Sequence, residues 1–275
     1  MDNVDAETVA GFGDEWSRFD HGERSADELK AIFDLYFSIF PWDSLPPNAV
    51  GFDAGSGSGR WAQLAAARVG TLHCIDASKE ALEVARRNLA KQTNARFHHA
   101  SIADMPLEDG SMDFGYSLGV LHHMPNTPAA VAACVRKLKP GAPLLLYLYY
   151  AFDNRPRWFR LLWEASDAVR RVVSRAPYPV RYGVSQAIAT SVYWPLARTS
   201  KVLERAGFDV DALPLSAYRD RSFYTMRNDA LDRFGTRLEQ RFTRDEMAAM
   251  MTSAGLERVS FHEGMPYWCA VGYRT

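Results

Sequence analysis

Apolar and polar positions along this 275-residue chain change rhythm several times, and each change marks an element. Short runs at 49–53, 71–75, 95–99, 112–117 and 144–148 read as strands, the last a continuous apolar stretch of the kind covered on both faces. Helical spacing fills the gaps. Residues 25–40 set Leu29, Ile32, Phe33, Tyr36 and Phe37 on one face, opened by Ser25 and stopped by Pro41, Pro46 and Pro47. A helix is expected from near Arg60-Trp61, and another capped by Ser78 with Leu82, Ala85 and Leu89 inward. Thr127 at an N-cap with Pro128 behind it opens a helix that buries Val131, Cys134, Val135 and Leu138 and ends at Lys139-Pro140-Gly141. Thr243 and Glu246 form a capping box for a helix with Met247, Met250 and Met251 inward, closed by Gly255. Strands at 257–261 and 267–273 follow with nothing helical between them, so they should pair antiparallel.

Strands alternating with helices imply an α/β fold: a parallel sheet of right-handed crossovers, with the last strand antiparallel. The stretch 151–235 interrupts this pattern after the fifth strand and differs in kind. It holds fourteen basic groups, all arginine except Lys201, against nine acidic ones, while the rest of the chain totals −6. It is also rich in aromatics, and Trp158, Trp163 and Trp194 could serve a dimer surface. The predicted organisation is a helical N-terminal cap at 1–48, a main domain at 49–150 and 236–275, and an inserted helical lid at 151–235.

Overall composition bounds the functional classes. No apolar run reaches the ~20 residues of a membrane span. Met1 to Phe12 is acidic and lacks a secretory pattern. Cys74, Cys134 and Cys269 are too few and scattered for a disulfide framework or a metal site, so no metal is expected and the protein reads as reduced and cytoplasmic. A net charge of −1 disfavours a sequence-independent nucleic-acid binder.

The most specific signal is Asp53-Ala-Gly55-Ser56-Gly57-Ser-Gly59-Arg60, between the first strand and its helix. Glycines there let the backbone approach a ligand closely and aim amides at it. Arg60 stands where a dinucleotide-binding loop needs its third glycine, and no Gly-Lys-Ser/Thr follows for a triphosphate. A second acid, Asp76, ends the next strand twenty-one residues after Gly55, where a carboxylate can accept both hydroxyls of a ribose.

With Phe52-Asp-Ala-Gly-Ser-Gly-Ser-Gly-Arg60, Ile75-Asp-Ala-Ser78, Asp104-Met-Pro-Leu107, Ser111-Met-Asp-Phe114, Leu118-Gly-Val-Leu-His-His123 and Leu138-Lys-Pro-Gly141, the chain resembles the class I S-adenosylmethionine-dependent methyltransferases, in particular the branch acting mostly on small molecules. The resemblance spans about 45–150 and returns at 240–275. It implies a Rossmann-like seven-stranded methyltransferase sheet, S-adenosylmethionine as cofactor and S-adenosylhomocysteine as product. It implies Gly55, Ser56 and Gly57 beneath the methionine part, with Gly59 completing the loop. Asp53 would organise the amino group, Asp76 the ribose, Ala77 with Ser101 and Ile102 the adenine, and Leu118 and Gly119 the sulfonium side. Two positions depart from the family pattern: Ser101 where an acid is frequent, and Ala142 where a second glycine is usual.

Methyl transfer is an in-line displacement in which positioning dominates, and a base helps only if the acceptor must lose a proton. His122 and His123, just past the fourth strand, and Tyr149, past the fifth, stand at the rim where ligands of open α/β sheets bind. They are the catalytic candidates, with a structural role for either histidine as the alternative. Trp16 could cover the sulfonium by a cation–π contact, or simply pack. Arg60 is either a partner for the cofactor carboxylate or a solvated surface charge. In the insertion, Tyr218, Arg219, Arg221, Tyr224 and Arg227, together with Tyr150, suit an acidic or hydroxyl-rich acceptor; internal pairing with Asp220, Asp229 and Asp232 is the competing reading.

The expected function is methyl transfer to oxygen or nitrogen of a small polar metabolite by a monomer or homodimer. The rivals are a nucleic-acid methyltransferase, against which stands the absence of an Asn/Asp-Pro-Pro-Tyr/Phe motif, and a non-catalytic cofactor-binding scaffold.

Overall fold

The computed structural model describes residues 3–18, 26–211 and 213–275, and of residues 13–18 the backbone alone. Its helices in chain order are α1 (Ala6–Arg18), α2 (Ala26–Tyr36), α3 (Ala62–Ala65), α4 (Lys79–Asn88), α5 (Thr127–Lys137), α6 (Arg157–Val173), α7 (Tyr178–Ile188), α8 (Trp194–Arg205), α9 (Phe223–Gly235) and α10 (Arg244–Ser253). Its strands are β1 (Val50–Ala54), β2 (Thr71–Asp76), β3 (Ala95–His99), β4 (Phe114–Leu118), β5 (Pro143–Tyr147), β6 (Leu256–Phe261) and β7 (Cys269–Arg274). Two compact units result: Met1–His21, Leu29–Ala151 and Leu238–Thr275 form the first, Gly22–Glu28 and Phe152–Arg237 the second.

The first unit is built on one seven-stranded sheet of order β3-β2-β1-β4-β5-β7-β6. The first five strands are parallel, and β7 runs antiparallel to both its neighbours. Alternation along β5 divides the core. Leu144 and Leu146 pack with Val131 and Leu138 of the α5 region and Met247 and Met251 of α10. Leu145 packs on the opposite face with Phe33 and Phe37, Tyr116 and Val271. At the sheet centre, Gly51 pairs with Phe114 and Phe52 with Gly115. A Cβ on Gly51 would stand 2.3 Å from the Phe114 ring and one on Gly115 2.2 Å from the Phe52 ring, so each phenylalanine occupies the space its partner strand leaves free.

Several boundaries differ from the sequence expectation for local reasons. The helix after the glycine loop is only the four residues of α3 and a 3₁₀ turn, because the Asn94 amide bonds the Ala66 and Val69 carbonyls and turns the chain into β2. β4 begins at Phe114; Met112 makes only a lone bridge to Leu138. Asn126, not Thr127, caps α5 by accepting from the Ala129 N–H, since the Thr127 hydroxyl turns inward to the Leu121 carbonyl. Pairing in β7 starts at Cys269. Ser25, expected to open α2, lies outside the described residues. The Ser78 cap and the Thr243–Glu246 capping box are formed.

The second unit is helical. α7 and α8 are joined without a break by a π-helical turn, Ala189–Tyr193, and pack Ala189, Tyr193 and Ala197 against Met226, Ala230 and Phe234 of α9. Arg170 of α6 is buried, pairs with Asp167 at 2.6 Å and donates to the Thr236 and Arg237 carbonyls past the end of α9. Among the described residues no helix is long and apolar enough to cross a membrane, no cluster suits a metal ion, and the three cysteines are free and buried.

Candidate active site

Strand order reverses between β1 and β4, on either side of which crossovers leave in opposite directions; a crevice opens there at the carboxyl ends of the strands. The glycine loop follows β1. Gly55 sits at φ +83°, a conformation open to glycine without strain, and its amide and that of Ser56 both donate to the Ile75 carbonyl. A Cβ on Gly55 would stand 2.4 Å from the Val120 side chain. The loop is tied to the end of β2 by Asp76: one carboxylate oxygen accepts from the Gly57 N–H at 2.8 Å and the other from the Ser78 N–H at 2.8 Å. These bonds pull the Asp76 pKa down, but burial outweighs them and the net shift is upward.

The cleft is lined by Gly55, Ser56, Gly57, Ser58, Arg60 and Trp61 from the loop, Asp76, Ala77 and Ser78 after β2, and Ser101 and Ile102 after β3. Leu118, Gly119, Val120, His123 and Met124 follow β4, and Asn3, Val4, Asp5, Thr8, Val9 and Phe12 come from α1 and its lead-in. Asp5 caps α1, accepting the Thr8 N–H at 2.7 Å. Asn3 and Asn126 exchange two bonds of 2.7 Å, which fix this segment at the cleft.

Buried polar atoms in native proteins nearly always have partners. Here Thr8 Oγ1, Ser56 Oγ, Ser58 Oγ, Trp61 Nε1 and His123 Nε2 are buried without one among the described residues, and all five residues line the cleft. Beneath the loop, Asp53 is 1% exposed and its Oδ2 is likewise without a partner. Burial raises the Asp53 pKa to about 8, helped by the Asp76 charge and opposed by the Tyr116 hydroxyl and Arg60.

Of the residues singled out in the sequence, Gly55, Ser56, Gly57, Arg60, Asp76, Ala77, Ser101, Ile102, Leu118, Gly119 and His123 meet at this cleft. Asp53 stands behind it. Gly59 faces away, where a Cβ would stand 2.4 Å from Leu89. The Trp16 side chain lies outside the described residues. Arg60 stacks over the Trp61 ring at 4.6 Å.

The two histidines have different surroundings. His122 is fully buried, stacked on Tyr149 at 3.9 Å, and burial holds its pKa well below the usual histidine value. Its Nδ1 accepts the Tyr149 N–H at 3.4 Å. Neither His122 nor Tyr149 lines the cleft. His123 Nδ1 stands 2.7 Å from the Leu238 carbonyl, an acceptor only, so Nδ1 carries a proton. Tyr150 turns to the other face of the sheet against Tyr267 and Trp268.

The residues expected to hold the acceptor, Tyr218, Arg219, Arg221, Tyr224 and Arg227, belong to the second unit. Arg219 is engaged there by Glu204 at 2.9 Å, Asp211 at 3.7 Å and the Ser216 carbonyl. Arg227 donates to Gln186 and the Tyr182 hydroxyl, and Tyr218 packs on Tyr193. Lys201 takes up Asp220.

Sequence reasoning missed Val4, Thr8, Val9 and Phe12. The available signal was Asp5 as a helix cap, with Val9 and Phe12 three apart behind it.

An open sheet of this order, with its last strand antiparallel inside the edge, is the class I methyltransferase fold. Residues 52–146 match the family described as "Methyltransferase domain". Over residues 52–146 the chain thus carries a methyltransferase domain. It is 28% identical over 128 residues to the ubiquinone biosynthesis O-methyltransferase of Xanthomonas oryzae pv. oryzae, covering 46% of this chain and 52% of that one. It is 30% identical over 160 residues to the enzyme of the same name from Thiobacillus denitrificans, covering 56% and 66%. The chain thus spans about half the length of the first of these curated relatives. A solved S-adenosylmethionine-dependent methyltransferase of Thermotoga maritima aligns with TM-score 0.52 and 14% identity over 96% of this chain and 100% of that one, a likeness of fold alone.

Proposed function

We propose that the protein binds S-adenosylmethionine in this cleft and transfers its methyl group to a hydroxyl oxygen of a small-molecule acceptor, leaving S-adenosylhomocysteine. The observation that carries the reading is the gathering of five buried, unpartnered polar atoms around a glycine loop latched to Asp76. Those residues fit the cofactor. The Asp76 carboxylate keeps lone pairs for ribose hydroxyls beyond the two amides it accepts. Ala77 and Ile102 offer an apolar slot for a purine, with the Ser101 hydroxyl beside it. Ser56, Ser58 and Asp53 offer polar atoms to the amino-acid end.

Bound there, the cofactor supplies an electrophilic methyl carbon on a sulfonium. The chain's own work is positioning and proton handling. Val4, Val9 and Phe12 exclude water from the cleft. His123 Nε2 takes the acceptor's hydroxyl proton, its ring aimed by the Nδ1–H bond to Leu238 and held edge-on by Phe12 at 5.1 Å. His122 and Tyr149 back His123 as a stacked aromatic support. Oxygen is preferred because an imidazole at the cleft suits an acceptor that must lose a proton, and because the two ubiquinone biosynthesis relatives are O-methyltransferases.

The test is incubation with methyl-labelled S-adenosylmethionine and a small-molecule extract, followed by mass analysis. Label on a hydroxyl-derived oxygen is the expected result. Release of S-adenosylhomocysteine with label on nitrogen or carbon would remove the oxygen assignment.

A further inference from the structure

α6 carries apolar side chains on both of its sides. Its inward side sets Phe159 and Trp163 against Phe152 and Val173 against the α7–α9 cluster, beside the buried Asp167 and Arg170. Its outward side carries Trp158 at 50% exposure, Leu161 at 64%, Leu162 at 52%, Val169 at 48% and Val172 at 74%. At 100° per residue these side chains, with Ala165 between them, occupy one arc of ~120° running the length of the helix. Soluble proteins rarely expose so continuous an apolar stripe without a partner for it. Along one margin of the arc lie Arg157, Arg160 and Arg175, with Arg171 paired to Asp167 at 2.8 Å and Glu164 the one exposed acid among them.

We propose that α6 is a docking surface for an anionic lipid bilayer, lying in the headgroup region with its apolar arc toward the acyl chains. Charge complementarity selects this occupant. An apolar arc edged by arginine matches an apolar interior edged by phosphate, and tryptophan favours the boundary between them. A second copy of the chain fits less well. A two-fold contact through this arc would bring the arginine margins of both copies into one interface, with two glutamates to offset the six arginines outside the Arg171–Asp167 pairs. The proposal does not depend on methyl transfer.

The experiment is sedimentation of the full chain with vesicles of phosphatidylcholine alone and of phosphatidylcholine with phosphatidylglycerol, at rising salt. Two surface variants accompany it, Leu161→Gln/Leu162→Gln and Arg157→Gln/Arg160→Gln. Melting temperature and S-adenosylhomocysteine affinity serve as folding controls. The expected result is binding to the anionic vesicles only, weakened by salt, with partitioning reduced by at least about tenfold in each variant while the controls hold. Equal sedimentation of both variants and wild type, or no sedimentation with anionic vesicles, would overturn the proposal. So would light scattering that shows a dimer dissociated by Leu161→Gln/Leu162→Gln, which would assign the arc to self-association.

Discussion

The Asp76 carboxylate accepts the Gly57 N–H at 2.8 Å, so the acid that ends β2 also sets the shape of the loop that follows β1. Loop and acid are therefore one device. A change in either is felt by the other before any ligand arrives.

Gly55→Ala should disturb the cleft in two separable ways. The φ of +83° costs a Cβ-bearing residue about 1–2 kcal/mol, and the new methyl would push the Val120 side chain, 2.4 Å away, into the cleft it lines. Calorimetry with S-adenosylhomocysteine should show weakened binding that Gly55→Ala/Val120→Ala recovers in part. No recovery would mean that the strain of the loop accounts for the whole loss.

The ligand-free protein should lose stability as pH rises from 5 to 8. Asp53 keeps its proton in the folded state to about pH 8, against an ordinary 3.8. Across that window the folded state holds the extra proton, so stability falls with pH and is fully present only below the unfolded value. Melting curves should be steeper in pH for wild type than for Asp53→Asn. Parallel curves would contradict a buried, protonated Asp53.

His123→Asn keeps an amide donor for the Leu238 carbonyl and removes Nε2. With the acceptor found by labelling, turnover should fall by about 10²–10⁴ while cofactor affinity holds. His122→Phe, which keeps an aromatic ring on Tyr149, should cost far less turnover. Equal losses would make both histidines structural.

Gly115→Ala should destabilise the sheet centre. Its methyl would stand 2.2 Å from the Phe52 ring, which is wholly buried and cannot retreat. Overpacking of this kind costs about 1–3 kcal/mol. Adding Phe52→Leu should recover part of the fall in melting temperature; an unchanged melting temperature in Gly115→Ala alone would show that the strands move apart freely.

What was legible in the sequence was local. The glycine turn and the Thr243 cap act within a few residues of themselves, so their residue types suffice to read them. Partner choice over distance was not legible. Arginine among tyrosines left Arg219 open to an acceptor or to internal pairing with nearby aspartates, and Glu204, fifteen residues back, is brought beside it by folding. Thr8 and Phe12 at the cleft were not legible, because the Asn3–Asn126 exchange that fixes α1 joins positions 123 residues apart.

The central claim, an S-adenosylmethionine site anchored on Asp76, is tested most directly by titrating wild type and Asp76→Ala with S-adenosylhomocysteine in a calorimeter. The account predicts one site in wild type and an affinity lower by about ten- to a hundredfold in the variant, the worth of ~1.5–3 kcal/mol of charge-assisted hydrogen bonding. Equal affinities, or no heat of binding in wild type, would contradict it.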